Sequence, residues 1–177
     1  MLRIILLYGI PGAFIVGAPM LYGMLTGQQD AANGAIIGYT TMLVALTGVF
    51  LGVKHYRDKV LGGVVKFLPA LGVGLGISTV ASLGWVIAWE LSLVITKFDF
   101  GAVYSQMMLD QAKADGASAE KLAQVAKDGE AFAAMYANPL IRMGITFLEM
   151  FPIGVVISLV SAGLLRNSRF LPARTIG

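Results

Sequence analysis

Two carboxylates stand inside apolar stretches, and they have the clearest capacity for chemistry in this chain. Glu90 lies within WVIAWELSLVI at residues 85–95, and Glu149 lies within FLEMFPIG at residues 147–154. An acid at the centre of a membrane helix costs about 2.5 to 3.5 kcal/mol, so such acids usually face the protein interior, form pairs or serve transport. Two nearby carboxyls in a low dielectric do not both ionise cheaply, so a pair of them could carry a proton or bind a cation.

The surroundings of the two acids predict different roles. Glu149 lies about 12 Å inside the last apolar stretch, whereas Glu90 lies beside Trp89, an aromatic residue of the kind found at headgroup depth. Arg142 is on the same predicted helix face as Glu149 and is therefore a candidate partner for it. We predict that Glu149 faces the interior and is the more important acid, and that Glu90 is wetter. Glu149, Glu90 and Arg142 form the candidate site, with a functional and a structural role both open.

The amino-acid composition indicates whether this site lies in a soluble protein or in a membrane protein. Of the 177 residues, 57% are hydrophobic and only 13% are charged, and the mean hydropathy is +0.79. Soluble proteins are about half apolar and about a quarter charged. The chain is therefore predicted to be an all-α integral membrane protein. It has no cysteine, which excludes disulfides and thiolate chemistry.

Four apolar windows are long enough to cross a membrane, which takes about 20 residues per helix. The predicted transmembrane helices cover about residues 4–25, 35–53, 67–95 and 141–165. Together with the segment between the third and the fourth, they predict a single membrane domain over residues 1–177. The first window also has the basic start and apolar centre of a secretory signal, but its apolar stretch is longer than a signal core usually is.

The segment at residues 97–138 has a different composition, since it carries ten of the 23 charged side chains. Its apolar residues recur at helical spacing on both sides of Asp-Gly-Ala at 115–117. Ser118 is a plausible N-cap for the second part, and Asn138 followed by proline is a typical helix boundary. We predict a helical hairpin on the membrane surface.

The distribution of Lys and Arg predicts the orientation, because these residues favour the cytoplasmic side. Four crossings collect on one side Arg3, Lys54, Arg57, Lys59, Arg166, Arg169 and Arg174. Both termini are therefore predicted to be cytoplasmic, and the hairpin extracytoplasmic. Lys54, Arg57, Lys59, Arg166 and Arg169 are predicted to hold this topology and to contact anionic headgroups of the lipid bilayer.

Small residues recur four apart on several of the predicted spans. The pairs and triplets are Gly34 and Gly38, Gly48 and Gly52, Gly72 and Gly76, and Gly154, Ser158 and Ala162. Such spacing lets helix backbones approach closely in lipid. It fits packing within one chain, and it also fits a homo-oligomer contact.

The remaining chemistry is sparse. The single histidine, His55, builds no zinc site by itself, and no hydrolase motif such as His-Glu-x-x-His or Gly-x-Ser-x-Gly is present. No metal, cofactor or nucleic-acid partner is expected. The sequence favours a non-enzymatic envelope or assembly component that docks an envelope protein through residues 97–138. The alternative is an oligomeric transporter or channel for protons, cations or a small solute that uses Glu149, with or without Glu90.

Several stretches resemble a bacterial family of small membrane proteins, domain of unknown function forty-one ninety-nine. The similar stretches are VFLGVKHYRD, GGVVKFLPALGVGLGIS, WVIAWE and YANPLIRMGITFLEMFPIGVVISLVSAGLLR. They cover nearly the whole chain in order. The resemblance implies the four-span architecture and, together with the predicted orientation, a bacterial inner membrane. It implies no activity and no catalytic residue.

Overall fold

The computed structural model describes residues 1–27 and 31–173, and these residues form six α-helices and no β-strand. A π-helical turn, Tyr56–Val60, follows the second helix. The α-helices are α1 Leu2–Thr26, α2 Ala31–His55, α3 Phe67–Thr96, α4 Phe100–Ala114, α5 Ala119–Tyr136 and α6 Pro139–Leu165. The all-α prediction is confirmed. Residues 28–30, which lie between the first two predicted spans, and Arg174 are outside the described residues.

Four helices in the described part of the chain are long and apolar enough to cross a membrane. The apolar segments are Leu2–Thr26, Ile36–Val60, Phe67–Thr96 and Pro139–Leu165, close to the four predicted spans. Their outer faces carry large exposed apolar side chains, including Phe14, Leu68, Val94 and Leu140. Because soluble proteins rarely expose extensive apolar patches, this surface indicates a membrane protein.

Helix α3 is the centre of the bundle. It packs most extensively on α1 and α6, and also contacts α2. The core around it is made of fully buried aliphatic side chains, among them Leu46, Val49, Val73, Ile77 and Met150. This arrangement places the C-terminal part of α3 beside the N-terminal part of α6. Both candidate acids lie in these parts of the two helices.

Glycine allows α3 and α6 to approach closely. A Cβ atom added at Gly154 would lie 2.6 Å from the Cβ of Ser78, and one added at Gly74 would lie 2.9 Å from the Cβ of Ser158. The hydroxyls of the two serines are 3.3 Å apart, so they also hydrogen-bond across the contact. Any larger residue at either glycine would push the helices apart.

Most of the small residues spaced four apart therefore serve packing within the chain. Gly72 faces Met1 and Gly76 faces Ile5, so both lie in the contact between α1 and α3. Gly38 differs, because a Cβ there would meet no atom of the described residues within 4 Å. A homo-oligomer contact through small residues would therefore have to use outward-facing positions such as Gly38.

Helices α4 and α5 pack against each other in opposite directions. Gly101 lies against Ala133 and Gly129 lies against Ser105, whose hydroxyl donates to the Gly129 carbonyl at 2.7 Å. The chain turns between the two helices at Gly116, which has a positive φ of 72°. This conformation is easy for glycine and unfavourable for other residues.

The predicted helix boundaries at this segment are confirmed. The side chain of Ser118 accepts from the backbone N–H of Lys121 at 3.3 Å, so it is the N-cap of α5. Asn138 accepts from the N–H of Leu140 at 3.0 Å, and Pro139 occupies the first turn of α6. Proline is compatible with that position because its missing N–H has no helical partner there.

Candidate functional site

The central feature of the site is an ion pair between α3 and α6. Arg142 donates from Nε to one carboxylate oxygen of Glu90 at 2.7 Å and from Nη2 to the other at 2.5 Å. Both side chains are 16% exposed. A two-point contact between guanidinium and carboxylate is stronger and more directional than a single hydrogen bond. It fixes the end of α3 to the first turns of α6.

A second contact joins the same region to the end of α5. The indole N–H of Trp89 donates to the hydroxyl of Tyr136 at 2.8 Å. Arg142 donates from Nη1 to the Tyr136 carbonyl at 3.4 Å, and its guanidinium lies 5.9 Å from the centre of the Tyr136 ring. Burial raises the pKa of the Tyr136 phenol, and the hydrogen bond from Trp89 opposes this effect only in part. The phenol is therefore neutral at physiological pH.

An aromatic cluster continues from this contact into α4 and α5. The ring of Phe100 lies 5.4 Å from Trp89 and 5.0 Å from Tyr136, measured between centroids. Tyr104 and Phe132 extend the cluster, with their rings 5.0 Å apart. Aromatic pairs at such distances contribute about 0.5–1.5 kcal/mol each beyond the area that they bury. The pair of helices α4 and α5 is thus attached to the C-terminal end of α3 and to the N-terminal end of α6.

Glu149 lies elsewhere and is not part of this network. Its carboxylate accepts one hydrogen bond, from the indole N–H of Trp85 at 3.2 Å, and its side chain is exposed on the outside of the bundle. The prediction that Glu149 faces the bundle interior is wrong. Glu90 is the better covered of the two acids, since its ion pair with Arg142 leaves its side chain 16% exposed.

The predicted partner of Glu149 is wrong as well. Arg142 is two helical turns away from it, which is about 10.5 Å along the axis, and the guanidinium instead crosses to Glu90 on the neighbouring helix. Each acid has its own partner, so Glu90 and Glu149 do not form the carboxyl pair that the sequence suggested. The hydrogen bonds of Trp85 and Trp89 were not predicted from the sequence, where Trp89 was used only as a marker of depth.

Two buried hydroxyls between α3 and α6 were not predicted. Ser82 is fully buried and Thr146 is 1% exposed, and neither side-chain oxygen has a hydrogen-bond partner among the described residues. The signal in the sequence that could have identified them is the presence of hydroxyl residues inside apolar windows. In membrane helices such residues commonly serve helix contacts, which is why they did not stand out.

The opposite end of the bundle contains a buried arginine. Arg57 is completely buried and donates from Nη1 to the Phe170 carbonyl at 2.8 Å and from Nη2 to the Leu171 carbonyl at 2.5 Å. Its Nε donates to Asp58 at 2.6 Å. The prediction that Arg57 contacts lipid headgroups is therefore wrong. The segment after α6 folds back over the π-helical turn and covers it.

The other basic residues of this end have different surroundings. Lys54 forms an ion pair with Asp58, and Tyr8 shares a hydrogen bond of 2.9 Å with Nδ1 of His55. His55 is the last residue of α2. Lys59, Arg166 and Arg169 are exposed, and their contact with lipid headgroups stays a prediction. Among the described residues, no three His, Cys, Asp or Glu side chains group closely enough to hold a metal ion.

Fold and site together define an all-helical protein with four candidate membrane spans and a pair of shorter helices attached to one end. The family described as Protein of unknown function (DUF4199) matches residues 6–167, and the chain belongs to this family. This confirms the family resemblance seen in the sequence. No curated protein and no solved structure matches the chain.

Proposed function

We propose that this chain is a bacterial inner-membrane protein that crosses the membrane four times and presents the α4–α5 hairpin to a protein partner of the cell envelope. Both termini lie in the cytoplasm, and the hairpin lies outside. The role is one of assembly or interaction and not of catalysis. The observation that carries the proposal is the attachment of the hairpin to the spans through Tyr136, Trp89 and the Glu90–Arg142 ion pair.

A connecting loop between two spans needs no such attachment. Here the last residue of α5 is buried, and it is held both by an indole from α3 and by a guanidinium from α6. A hairpin fixed in this way keeps one orientation relative to the membrane. Preorganisation of this kind favours binding, because less conformational freedom is lost when the partner docks.

The exposed face of α4 carries both apolar and polar side chains, so it suits a partner surface of mixed polarity. Val103 and Met107 are 49% and 57% exposed, and they line a shallow groove with Gln106, Asp110 and Gln111. Methionine adapts its shape to a contacting surface, which suits a docking face. The groove volume is about 580 Å³.

The distribution of basic residues supports the orientation. Arg57 contacts Phe170 and Leu171, and Gly72 near the start of α3 faces Met1. The ends of α2 and α6 therefore lie together with the starts of α1 and α3. The basic residues at this common end include Arg3, Lys54, Lys59, Lys66, Arg166 and Arg169. Such an end is expected on the cytoplasmic side.

Cysteine labelling tests the orientation, because the native chain has no cysteine. In intact cells, an impermeant thiol reagent should label Ala119→Cys at the start of α5 and should not label Ser168→Cys after α6. Both positions are exposed, so both should react after the cells are permeabilised. Labelling of Ser168→Cys in intact cells would contradict the proposed topology.

Photocrosslinking tests the docking role in the same cells. A photoreactive residue at Met107 on α4 should give one discrete protein adduct, and Val103→Asp should abolish it. A photoreactive residue at Leu43, exposed on the outside of α2, is the matched control and should give no such adduct. Equal adduct patterns from Met107 and Leu43 would contradict a docking face on the hairpin.

A second candidate function, an oligomeric transporter of protons or cations, is favoured by one observation. Glu149 lies ten residues into α6, about 15 Å along the helix axis, and it is exposed on the outside of the bundle. A carboxyl facing lipid at that depth is unfavourable. Contact with a second copy of the chain would cover it and would create a polar site between protomers.

Reconstituted vesicles test this candidate. Wild-type protein should form oligomers that crosslink through Leu148→Cys and should give a pH-dependent proton flux, whereas Glu149→Gln should abolish the flux because it removes the titrating group. Glu130→Gln, on the exposed surface of α5, is the matched control and should leave the flux unchanged. A monomer without any flux would rule out the transporter.

A further inference from the structure

A cleft opens where the third span meets the hairpin. It lies between the end of α3, the connection to α4, the end of α5 and the start of α6, and its volume is about 410 Å³. Its walls are of mixed polarity, with apolar side chains from Leu93, Val94 and Phe98 on one side and from Ala133 and Ala137 on the other. The cleft includes the last turn of α3, whose apolar segment ends at Thr96. In the proposed topology this is the depth of the lipid headgroups of the outer leaflet.

Two opposite charges line this cleft without neutralising each other. Lys97 and Asp99 are both exposed, and they form no ion pair with one another or with any other residue that the structure describes. Asp99 uses one carboxylate oxygen to accept from the N–H of Ala102 at 3.0 Å, which leaves the other oxygen available. The third charged residue of the cleft, Arg142, is already neutralised by Glu90. The charge offered to a ligand is therefore one cation and one anion.

The backbone of Lys97 is a second and independent observation. This residue ends α3 in the left-handed conformation, with φ of 52° and ψ of 31°. Glycine is strongly favoured at such a helix end, and a lysine there is strained. Strain of this kind is typical of residues whose side chains have a role. Lys97, the residue in this strained conformation, is among the residues that line the cleft.

We propose that the cleft binds the phosphoethanolamine headgroup of a phospholipid. Lys97 holds the phosphate, the carboxylate of Asp99 accepts from the ammonium group, and the acyl chains follow the exposed side of α3 past Val94. A purely anionic headgroup would meet the repulsion of Asp99. A choline headgroup carries no N–H to donate to it. Only a zwitterion whose ammonium can donate hydrogen bonds uses both charges.

Titration of the purified protein in lipid-free detergent tests this site. Phosphatidylethanolamine should bind about tenfold more tightly than phosphatidylcholine or phosphatidylglycerol, as expected for one additional charge-assisted hydrogen bond. Native mass spectrometry can count the bound lipids. Free phosphoethanolamine should bind far more weakly than the lipid, and equal binding of the two would assign the cleft to a soluble ligand and overturn the lipid.

Two variants separate binding from folding. Lys97→Gly suits the left-handed backbone, so it should keep or raise the melting temperature while it weakens phosphatidylethanolamine binding about tenfold. Asp99→Asn keeps the N-cap of α4 and should weaken binding to a similar extent. Lys127→Gln and Asp128→Asn, an exposed neighbouring pair on α5 outside the cleft, are the matched controls and should bind as the wild type does.

The results of the lipid titration can be distinguished from the results of the experiments that test the proposed function. The site rests on the proposed membrane topology for its depth, but the titration in detergent depends neither on orientation nor on a protein partner. Unchanged lipid binding in Lys97→Gly and Asp99→Asn would overturn the headgroup site even if the cysteine labelling succeeds. Equal affinity for the three phospholipids would overturn the choice of phosphoethanolamine.

Discussion

Arg142→Ala should lower the free energy of unfolding by about 3 kcal/mol, because it leaves the largely covered carboxylate of Glu90 without its partner. Glu90→Ala should have an effect of similar size, since it leaves the guanidinium unpaired at the end of the spans. Denaturation of the purified protein in detergent, followed by circular dichroism, measures both changes. Hydrogen exchange should also rise in α4 and α5, because the same arginine holds the carbonyl of Tyr136.

A double variant shows whether the pair or either charge is responsible. Glu90→Leu combined with Arg142→Leu leaves no uncompensated charge, so it should recover most of the stability lost in the single variants. The exposed pair of Asp110 and Lys113 is the matched control, with side chains 58% and 52% exposed. Lys113→Ala should change stability by no measurable amount, as is usual for surface pairs. Single variants as stable as the wild type would contradict a role of the ion pair in fixing the hairpin.

The sequence was sufficient to predict features that depend on a few neighbouring residues. The positions where α5 and α6 begin follow from Ser118, Asn138 and Pro139, because capping and the missing proline N–H act within one helical turn. The four long helices follow from apolar windows of about the length that a bilayer requires. These signals are local, so they do not depend on how the helices later pack.

The orientation of Glu149 was not predictable in the same way. Helix α6 is apolar on all sides around it, so helical periodicity does not distinguish the face toward α3 from the face toward lipid. A rotation of one residue moves a side chain by about 100° around the axis. The face is set by close packing at Gly154 and Ser158, and that contact depends on the register between two helices.

Long-range pairing explains the other errors. Glu90 and Arg142 are 52 residues apart, so their contact exists only once α3 and α6 are aligned. The burial of Arg57 depends on a segment more than 110 residues later in the chain. A basic cluster beside a span predicts headgroup contact on average. It does not show which member of the cluster will be covered by the protein itself.

Arg57→Met should be the most damaging single change at the end of the bundle where α2 and α6 end, with a loss of about 3 kcal/mol in the free energy of unfolding. The substitution keeps much of the side-chain volume but leaves the carbonyls of Phe170 and Leu171 without their donors. Asp58 loses one of its two cations and keeps Lys54, which limits the effect. Thermal denaturation in detergent gives the size of the loss, and hydrogen exchange at residues 167–173 reports release of the tail.

Two further variants distinguish the hydrogen bonds of Arg57 from its charge. Arg57→Lys keeps the charge but lacks the planar fork that reaches both carbonyls, so about half of the stability loss should remain. Lys59→Met removes a charge from the same turn, but its side chain is exposed, and it should leave both stability and tail exchange unchanged. The tail is also held at Leu171 in a conformation with a positive φ of 46°, which is unfavourable for leucine without an external constraint. Slow exchange of the tail in Arg57→Met would therefore show that packing of Phe170 alone keeps the segment in place, and that the buried guanidinium is not its constraint.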